Sequence, residues 1–109
     1  MSDARLPAHI EVSGLIRAVQ NAGGFATVLA KGDADAGTLM VICCQHGENG
    51  TAWERMPQMD GRRGWTLTKR QDPADPADFI NYYRRRSDQD DDLWVVELDI
   101  ANAERFIAA

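Results

Sequence analysis

The sequence predicts an α+β fold, in which helices pack on one face of a small antiparallel or mixed sheet. Two observations predict it. Apolar residues recur at helical spacing in three segments, and short apolar or alternating runs bounded by turn residues lie between those segments. The expected element order is α-β-β-β-β-α-β-α, with a four-stranded meander followed by one C-terminal strand. The length of 109 residues suits a single domain over residues 1–109.

The first helix is predicted over Pro7–Asn21, before the stop signal Gly23-Gly24. Its apolar stripe follows the i, i+3, i+4, i+7 rule and consists of Val12, Leu15, Ile16 and Val19. Gly14 lies inside this helix at a cost of about 1 kcal/mol relative to alanine. Close packing of the helix on the sheet would explain why a glycine stands there.

Four strands are predicted next, over Phe25–Lys31, Thr38–His46, Thr51–Met56 and Trp65–Lys69. The second contains the run LMVICC, which is apolar on both faces, so we expect it to be central in the sheet. The segments GDADAG and GENG are expected to be turns, because Asp, Asn and Gly tolerate turn geometry. A polar loop is expected between the third and fourth strands.

The second helix is predicted over Pro76–Ser87, because Asp75 suits the N-cap and proline suits the first helical position. Its apolar face is expected to contain Phe79, Ile80 and Tyr83. An acidic link precedes a fifth strand over Leu93–Ile100, and a short helix is expected over Ala101–Ala108.

Three segments give the chain a resemblance to a known family. They are HIEVSGLIRAVQNAGG, FATVLAKGDADAGTLMV and DDDLWVVELD. In these segments and in the order of its elements, the chain resembles a bacterial family of proteins of unknown function, number 1491. The resemblance implies a small soluble proteobacterial protein. It implies no activity, cofactor or catalytic residue.

The residue types assign no catalytic residue, cofactor or metal site. Cys43 and Cys44 are neighbours in an apolar strand, so they point to opposite faces and are expected to behave as small core residues in a reducing compartment. Cys44 and His46 share a strand face, but two ligands do not make a metal site. No phosphate-binding glycine loop and no nucleophile-elbow motif occurs.

The charge distribution is the most informative functional signal. The net charge is −5, yet residues 62–86 alone carry +4. Basic and aromatic residues interleave there, which suits phosphate contact with base stacking and equally suits a protein interface. The candidate partner-binding residues are Arg62, Arg63, Trp65, Lys69, Arg70, Tyr82, Arg84, Arg85 and Arg86. A solvated helix end and a basic loop, with the aromatic residues in the core, would give the same pattern.

Three functional hypotheses follow. The leading one is a non-enzymatic protein-binding or adaptor domain, which uses these basic and aromatic residues to meet an acidic protein partner or a copy of itself. The second is a nucleic-acid-binding accessory protein, which the net negative charge disfavours. The third is a small enzyme with an unidentified site. We expect a cytoplasmic protein without membrane contact. We also expect five arginines of the set to be exposed: Arg62, Arg63, Arg84, Arg85 and Arg86.

Overall fold

The computed structural model describes residues 6–57, 59, 61 and 63–107, without the side chains of Pro57 and Arg63. The predicted element order is confirmed. Two α-helices and five strands are present, followed by a short 3₁₀ helix (η1) where an α-helix was predicted. Their bounds are α1 Ala8–Asn21, β1 Phe25–Ala30, β2 Leu39–Gln45, β3 Glu48–Pro57, β4 Arg63–Arg70, α2 Pro76–Gln89, β5 Trp94–Asp99 and η1 Ala103–Phe106.

The sheet is mixed and its strand order is β1-β5-β2-β3-β4. Strands β2, β3 and β4 form an antiparallel meander, as predicted. The prediction that β1 belongs to the same meander is wrong, because β5 lies between β1 and β2, antiparallel to β1 and parallel to β2. The physical reason is burial. Five of the six β2 side chains from Leu39 to Cys44 are less than 4% exposed, and Trp94–Val96 of β5 are at most 4% exposed, which is typical of strands in the interior of a sheet.

The two α-helices cover opposite faces of the sheet, so the prediction that helices pack on one face is wrong. The α1 face carries Val41 and Val96, which pack with Val12 and Val19 of α1. The α2 face carries the alternate residues Met40, Ile42 and Val95, which pack with Phe79 of α2. A strand that is apolar on both faces needs a cover on each, and that requirement decides the arrangement.

A β-bulge in β4 determines which face its side chains reach. Trp53 pairs with Leu67 and Arg55 with Trp65, whereas Ala52 pairs with Lys69, so one extra residue is inserted at Thr68. The hydroxyl of Thr68 donates to the Ala52 carbonyl at 3.3 Å. Because paired residues share a face, Trp65 and Leu67 point to the α1 face and Lys69 points to the α2 face.

Candidate functional site

The structure divides the predicted basic and aromatic set between the two faces of the sheet. Trp65 lies on the α1 face, while Lys69, Tyr82 and Arg86 lie on the α2 face. Arg70, Arg84 and Arg85 are exposed. Arg62 and the side chain of Arg63 lie outside the described residues. The nine residues therefore do not form one continuous surface among those that the structure describes.

On the α2 face, carboxylates of the chain itself engage three of the predicted residues. The Tyr82 hydroxyl donates to Glu54 at 3.1 Å, and Arg86 donates to the other oxygen of the same carboxylate at 2.5 Å. Lys69 pairs with Asp78 at 2.7 Å and lies 5.9 Å from the Tyr82 ring centre. Glu54 raises the pKa of Arg86. The expectation that Arg86 is freely exposed is thus wrong, because a half-buried cation needs a counter-ion.

On the α1 face, Trp65 belongs to a second network. Arg55 forms an ion pair with Glu11 of α1 and lies over the Trp65 ring at 4.7 Å. The Trp53 indole donates to the Thr51 hydroxyl at 2.9 Å. Both tryptophans are half-buried against the core on this face. Arg55 therefore ties α1 to the β3–β4 part of the sheet and holds the Trp65 ring in place.

An apolar groove runs beside α1 and includes Trp65. Its volume is about 370 Å³. We call it the α1 groove, and its main lining residues are Leu6, Ile10, Gly14, Ala18, Trp65 and Phe106. Leu6, which precedes α1, is 61% exposed, and Ile10 in the first turn of α1 is 45% exposed, so two large apolar side chains are open to solvent at one end of the groove.

Gly14 faces this groove and not the sheet. A Cβ atom added at residue 14 would meet nothing within 4 Å, so the suggestion that this glycine allows close helix–sheet packing is wrong. Ile10, Gly14 and Ala18 are spaced four residues apart and so share one side of the helix. This spacing is the sequence signal that could have revealed the groove, because it forms a second apolar stripe beside the core stripe.

The cysteines have the environment expected of core residues. Cys43 is 1% exposed and Cys44 is 7% exposed, which confirms the predicted burial. Burial, then nearby Glu104, raises the pKa of Cys43 to about 12. Burial, then Glu97 and Asp99, raises the pKa of Cys44 to about 12. Both thiols are therefore protonated at neutral pH and are poor nucleophiles.

The carboxylate of Asp99, close to Cys44, binds the backbone of the β2–β3 turn. It accepts hydrogen bonds from the backbone N–H of His46 at 2.7 Å and of Gly47 at 3.2 Å. Both residues have positive φ angles, at 54° and 71°. Asp99 thus joins the end of β5 to the β2–β3 turn, and His46 is an exposed turn residue rather than a partner of the buried Cys44.

Comparison with known proteins gives a consistent result. The model of a family described as "Protein of unknown function (DUF1491)" matches residues 6–108. A crystal structure of a DUF1491 family protein from Caulobacter crescentus CB15 is 32% identical, with a TM-score of 0.79 and 94% coverage of each chain. An NMR structure of a DUF1491 family protein from the same organism is 33% identical, with a TM-score of 0.76 and coverage of 94% of this chain and 92% of that one.

A third solved structure is also similar to this chain. The solution structure of protein Atu0922 from A. tumefaciens is 28% identical, with a TM-score of 0.69 and coverage of 95% of this chain and 93% of that one. No curated protein matches the chain. In the part of the chain that the structure describes, no helix is long and apolar enough to cross a membrane.

Proposed function

Since the chain belongs to the DUF1491 family of proteins of unknown function, we propose its function from its own geometry: it is a non-enzymatic protein-binding domain. Its binding site is the α1 groove, and its partner presents an amphipathic helix with acidic residues. The observation that carries the proposal is the open, apolar side of α1 around Gly14, next to a half-buried Trp65.

The width of the sheet explains why a helix fits. Five strands about 4.8 Å apart span about 19 Å, whereas packed helices lie about 8–10 Å apart, so two helices are needed to cover one face. On the α1 face, α1 is the one α-helix among the described residues, and it packs over β1 and β5. The partner helix would lie beside it, over the β3–β4 half that carries Trp53 and Trp65.

Small residues on α1 favour a close approach. Gly14 and Ala18 add little volume to the groove wall, so the backbone of a second helix can come near α1 without displacing a side chain. The helical groove residues from Ile10 to Ala18 extend for about 12 Å at 1.5 Å per residue, which corresponds to about two turns of a bound helix.

The charges around the groove favour an acidic partner. Arg17 is exposed and follows Gly14 by three residues, which puts it at the groove margin. Arg105 is exposed and lies over the Phe106 ring at 4.7 Å. Glu104 lines a separate cavity beside Cys43, and Glu11 is paired with Arg55. Among the described residues, the charges at the groove margin that have no ion-pair partner are thus positive, which complements acidic side chains.

Protein binding is better supported than nucleic-acid binding. Two of the predicted phosphate contacts, Lys69 and Arg86, are paired with Asp78 and Glu54. A phosphate would have to displace these carboxylates, and the cost falls mainly on the Arg86–Glu54 pair, because the Glu54 side chain is 14% exposed whereas the Lys69–Asp78 pair is open to solvent. The raised pKa values of the two cysteines argue against a cysteine nucleophile, because neither thiol is activated. We place the protein in the bacterial cytoplasm, where buried cysteines stay reduced.

The proposal can be tested with synthetic helical peptides. One peptide carries leucines at positions i, i+3, i+4 and i+7 with glutamates elsewhere, and its matched control carries lysines in place of the glutamates. We expect the acidic peptide to shift the NMR signals of Gly14, Ala18 and the Trp65 indole. The basic peptide should bind at least tenfold more weakly, since it meets Arg17 and Arg105 with like charges.

A pair of variants at Gly14 separates groove binding from other effects. Gly14→Leu fills the groove from a position where an added Cβ atom meets nothing within 4 Å, so it should weaken the acidic peptide at least tenfold while the protein stays folded. Gly14→Ala adds one methyl group and should bind within about threefold of the wild type, because less than 1 kcal/mol is at stake. Unchanged binding by Gly14→Leu, or shifts confined to the α2 face, would refute the proposal.

A further inference from the structure

The three tryptophans of the chain differ in how they use the indole N–H. The N–H of Trp53 donates to the Thr51 hydroxyl at 2.9 Å, and the N–H of Trp94 donates to the Asp33 carbonyl at 2.7 Å. Within the part of the chain that the structure describes, no group accepts a hydrogen bond from the Trp65 N–H. Trp65 therefore carries a hydrogen-bond donor that the described fold does not use.

The N–H of Trp65 is accessible to solvent. Among the described residues, every fully buried side-chain nitrogen or oxygen has a hydrogen-bond partner. Trp65 is half-buried and its N–H has no partner, so this nitrogen cannot be one of the buried atoms. One part of the ring packs against the core on the α1 face, and Trp65 also lines the α1 groove. The donor thus belongs to the accessible part of a groove residue, where water hydrates it in the free protein.

A partner helix that covers the Trp65 ring displaces this water. If only leucines faced the ring, the N–H would be buried without an acceptor, and a buried donor without an acceptor costs more than its hydrogen bond would contribute. An entirely apolar partner face is therefore disfavoured at this one position. Tryptophan is common in protein interfaces for the related reason that its body is apolar while its N–H needs a polar partner.

We propose that the Trp65 N–H binds a side-chain carboxylate that interrupts the apolar face of the partner helix. The inference rests on the α1 groove as the binding site, and it identifies the residue of this chain that selects among amphipathic helices. A helix with an unbroken leucine face would bind the groove, but one with a glutamate opposite Trp65 would bind it more tightly.

The surroundings of Trp65 favour a carboxylate as the acceptor. Arg55 lies over the ring at 4.7 Å, and its positive charge polarises the ring that carries the donor. Glu11, the carboxylate that this chain contributes to the groove, is already paired with Arg55. A partner carboxylate accepts a stronger hydrogen bond than an amide or carbonyl oxygen does. The exposed Arg17 and Arg105 at the groove margin offset its charge.

Hydrogen exchange of the three indole N–H groups tests the first step without any partner. We expect the Trp65 signal to exchange with water fastest, because the N–H groups of Trp53 and Trp94 are bonded within the chain. The variant Trp65→Phe assigns the signal by removing it. If the Trp65 N–H is protected as strongly as the other two, the chain itself supplies an acceptor and the inference is wrong.

A set of peptides tests the acceptor. The parent is the acidic peptide with leucines at i, i+3, i+4 and i+7, and each of four variants replaces one of these leucines by glutamate. We expect one variant to bind the wild-type protein at least tenfold more tightly than the other three, because its glutamate reaches the donor. The same variant should move the Trp65 indole N–H proton downfield, which requires no substitution in the protein.

Two protein variants assign this preference to Trp65. Trp65→Phe keeps an aromatic ring without the N–H, so it should abolish the preference while it binds the parent peptide within about threefold of the wild type. Trp53→Phe is the matched control, because Trp53 is half-buried on the same face but its N–H is bonded to Thr51. It should keep the preference.

Three results would overturn the inference and leave the α1 groove as the binding site. They are the absence of any glutamate preference, a preference that persists in Trp65→Phe, and a preference that Trp53→Phe removes to the same extent. If no peptide, the parent included, shifts the signals of Gly14 and Ala18, the groove does not bind helices and both proposals fail. The parent peptide therefore distinguishes failure of the proposed function from failure of this inference.

Discussion

Replacing Gly14 by alanine should stabilise the protein. The residue lies in the middle of α1, seven residues from its end, and an added Cβ atom meets nothing within 4 Å. The full difference in helix propensity between the two residues, about 1 kcal/mol, should therefore appear in the free energy of unfolding. For a domain near 100 residues, that gain raises the melting temperature by about 4 °C.

Urea denaturation followed by circular dichroism measures this effect. The midpoint should rise with no change in the slope m, because the surface exposed on unfolding is almost unchanged. Gly24→Ala is the matched control with the opposite sign, since a Cβ atom at residue 24 would lie 2.7 Å from the Ile100 side chain and should cost about 1–3 kcal/mol. If Gly14→Ala is neutral or destabilising, residue 14 contacts another group and the groove is not open as described.

Three further predictions concern other parts of the molecule. Phe79→Ala should cost about 3–5 kcal/mol in urea unfolding, because Phe79 is 3% exposed and packs α2 on the sheet; a cost below about 1 kcal/mol would contradict that packing. Burial, then Asp99, raises the pKa of Glu97, so the folded state holds this proton more tightly than the unfolded state and the charged carboxylate weakens stability at neutral pH. Glu97→Gln should accordingly raise the melting temperature at pH 7 and lose that advantage below about pH 4; the same gain at both pH values would contradict this reasoning. Finally, the folded protein at pH 8 should hold about a thousandfold less thiolate than an ordinary cysteine with a pKa of 9.0, so it should react with a thiol reagent only after unfolding.

The sequence was sufficient to predict the elements because their signals are local. Helical spacing in α1, the proline after Asp75 at the start of α2 and the apolar run of β2 each act over a few residues. The central position of β2 could be predicted for the same reason, since its own side chains require two covered faces. The order of the strands could not be predicted in this way, because it depends on which of several apolar strands pairs with β2. In the structure β5 pairs with β2, and β1 lies beyond it.

The candidate site could be predicted only in part, for a similar reason. Strand alternation puts Trp65, Leu67 and Lys69 on one face, and the bulge at Thr68 reverses that for Lys69. The residue types around Thr68 do not predict a β-bulge. Likewise, the counter-ion of Lys69 comes from α2 and that of Arg86 comes from β3, so the neutralisation of these cations depends on tertiary packing.

The place of β5 in the sheet has a consequence for biosynthesis. Within the described part of the chain, β1 has β5 as its single neighbour in the sheet, and β5 also completes one side of β2. While the chain leaves the ribosome, β1 has no strand to pair with until residues 94–99 have been synthesised, and β2 keeps one apolar edge open for the same period. Only the β2–β3–β4 meander can pair earlier. The nascent chain therefore passes through a stage in which β1 is unpaired and β2 has one open edge. A chaperone or ribosome surface that shields these two strands would protect this protein most during that interval.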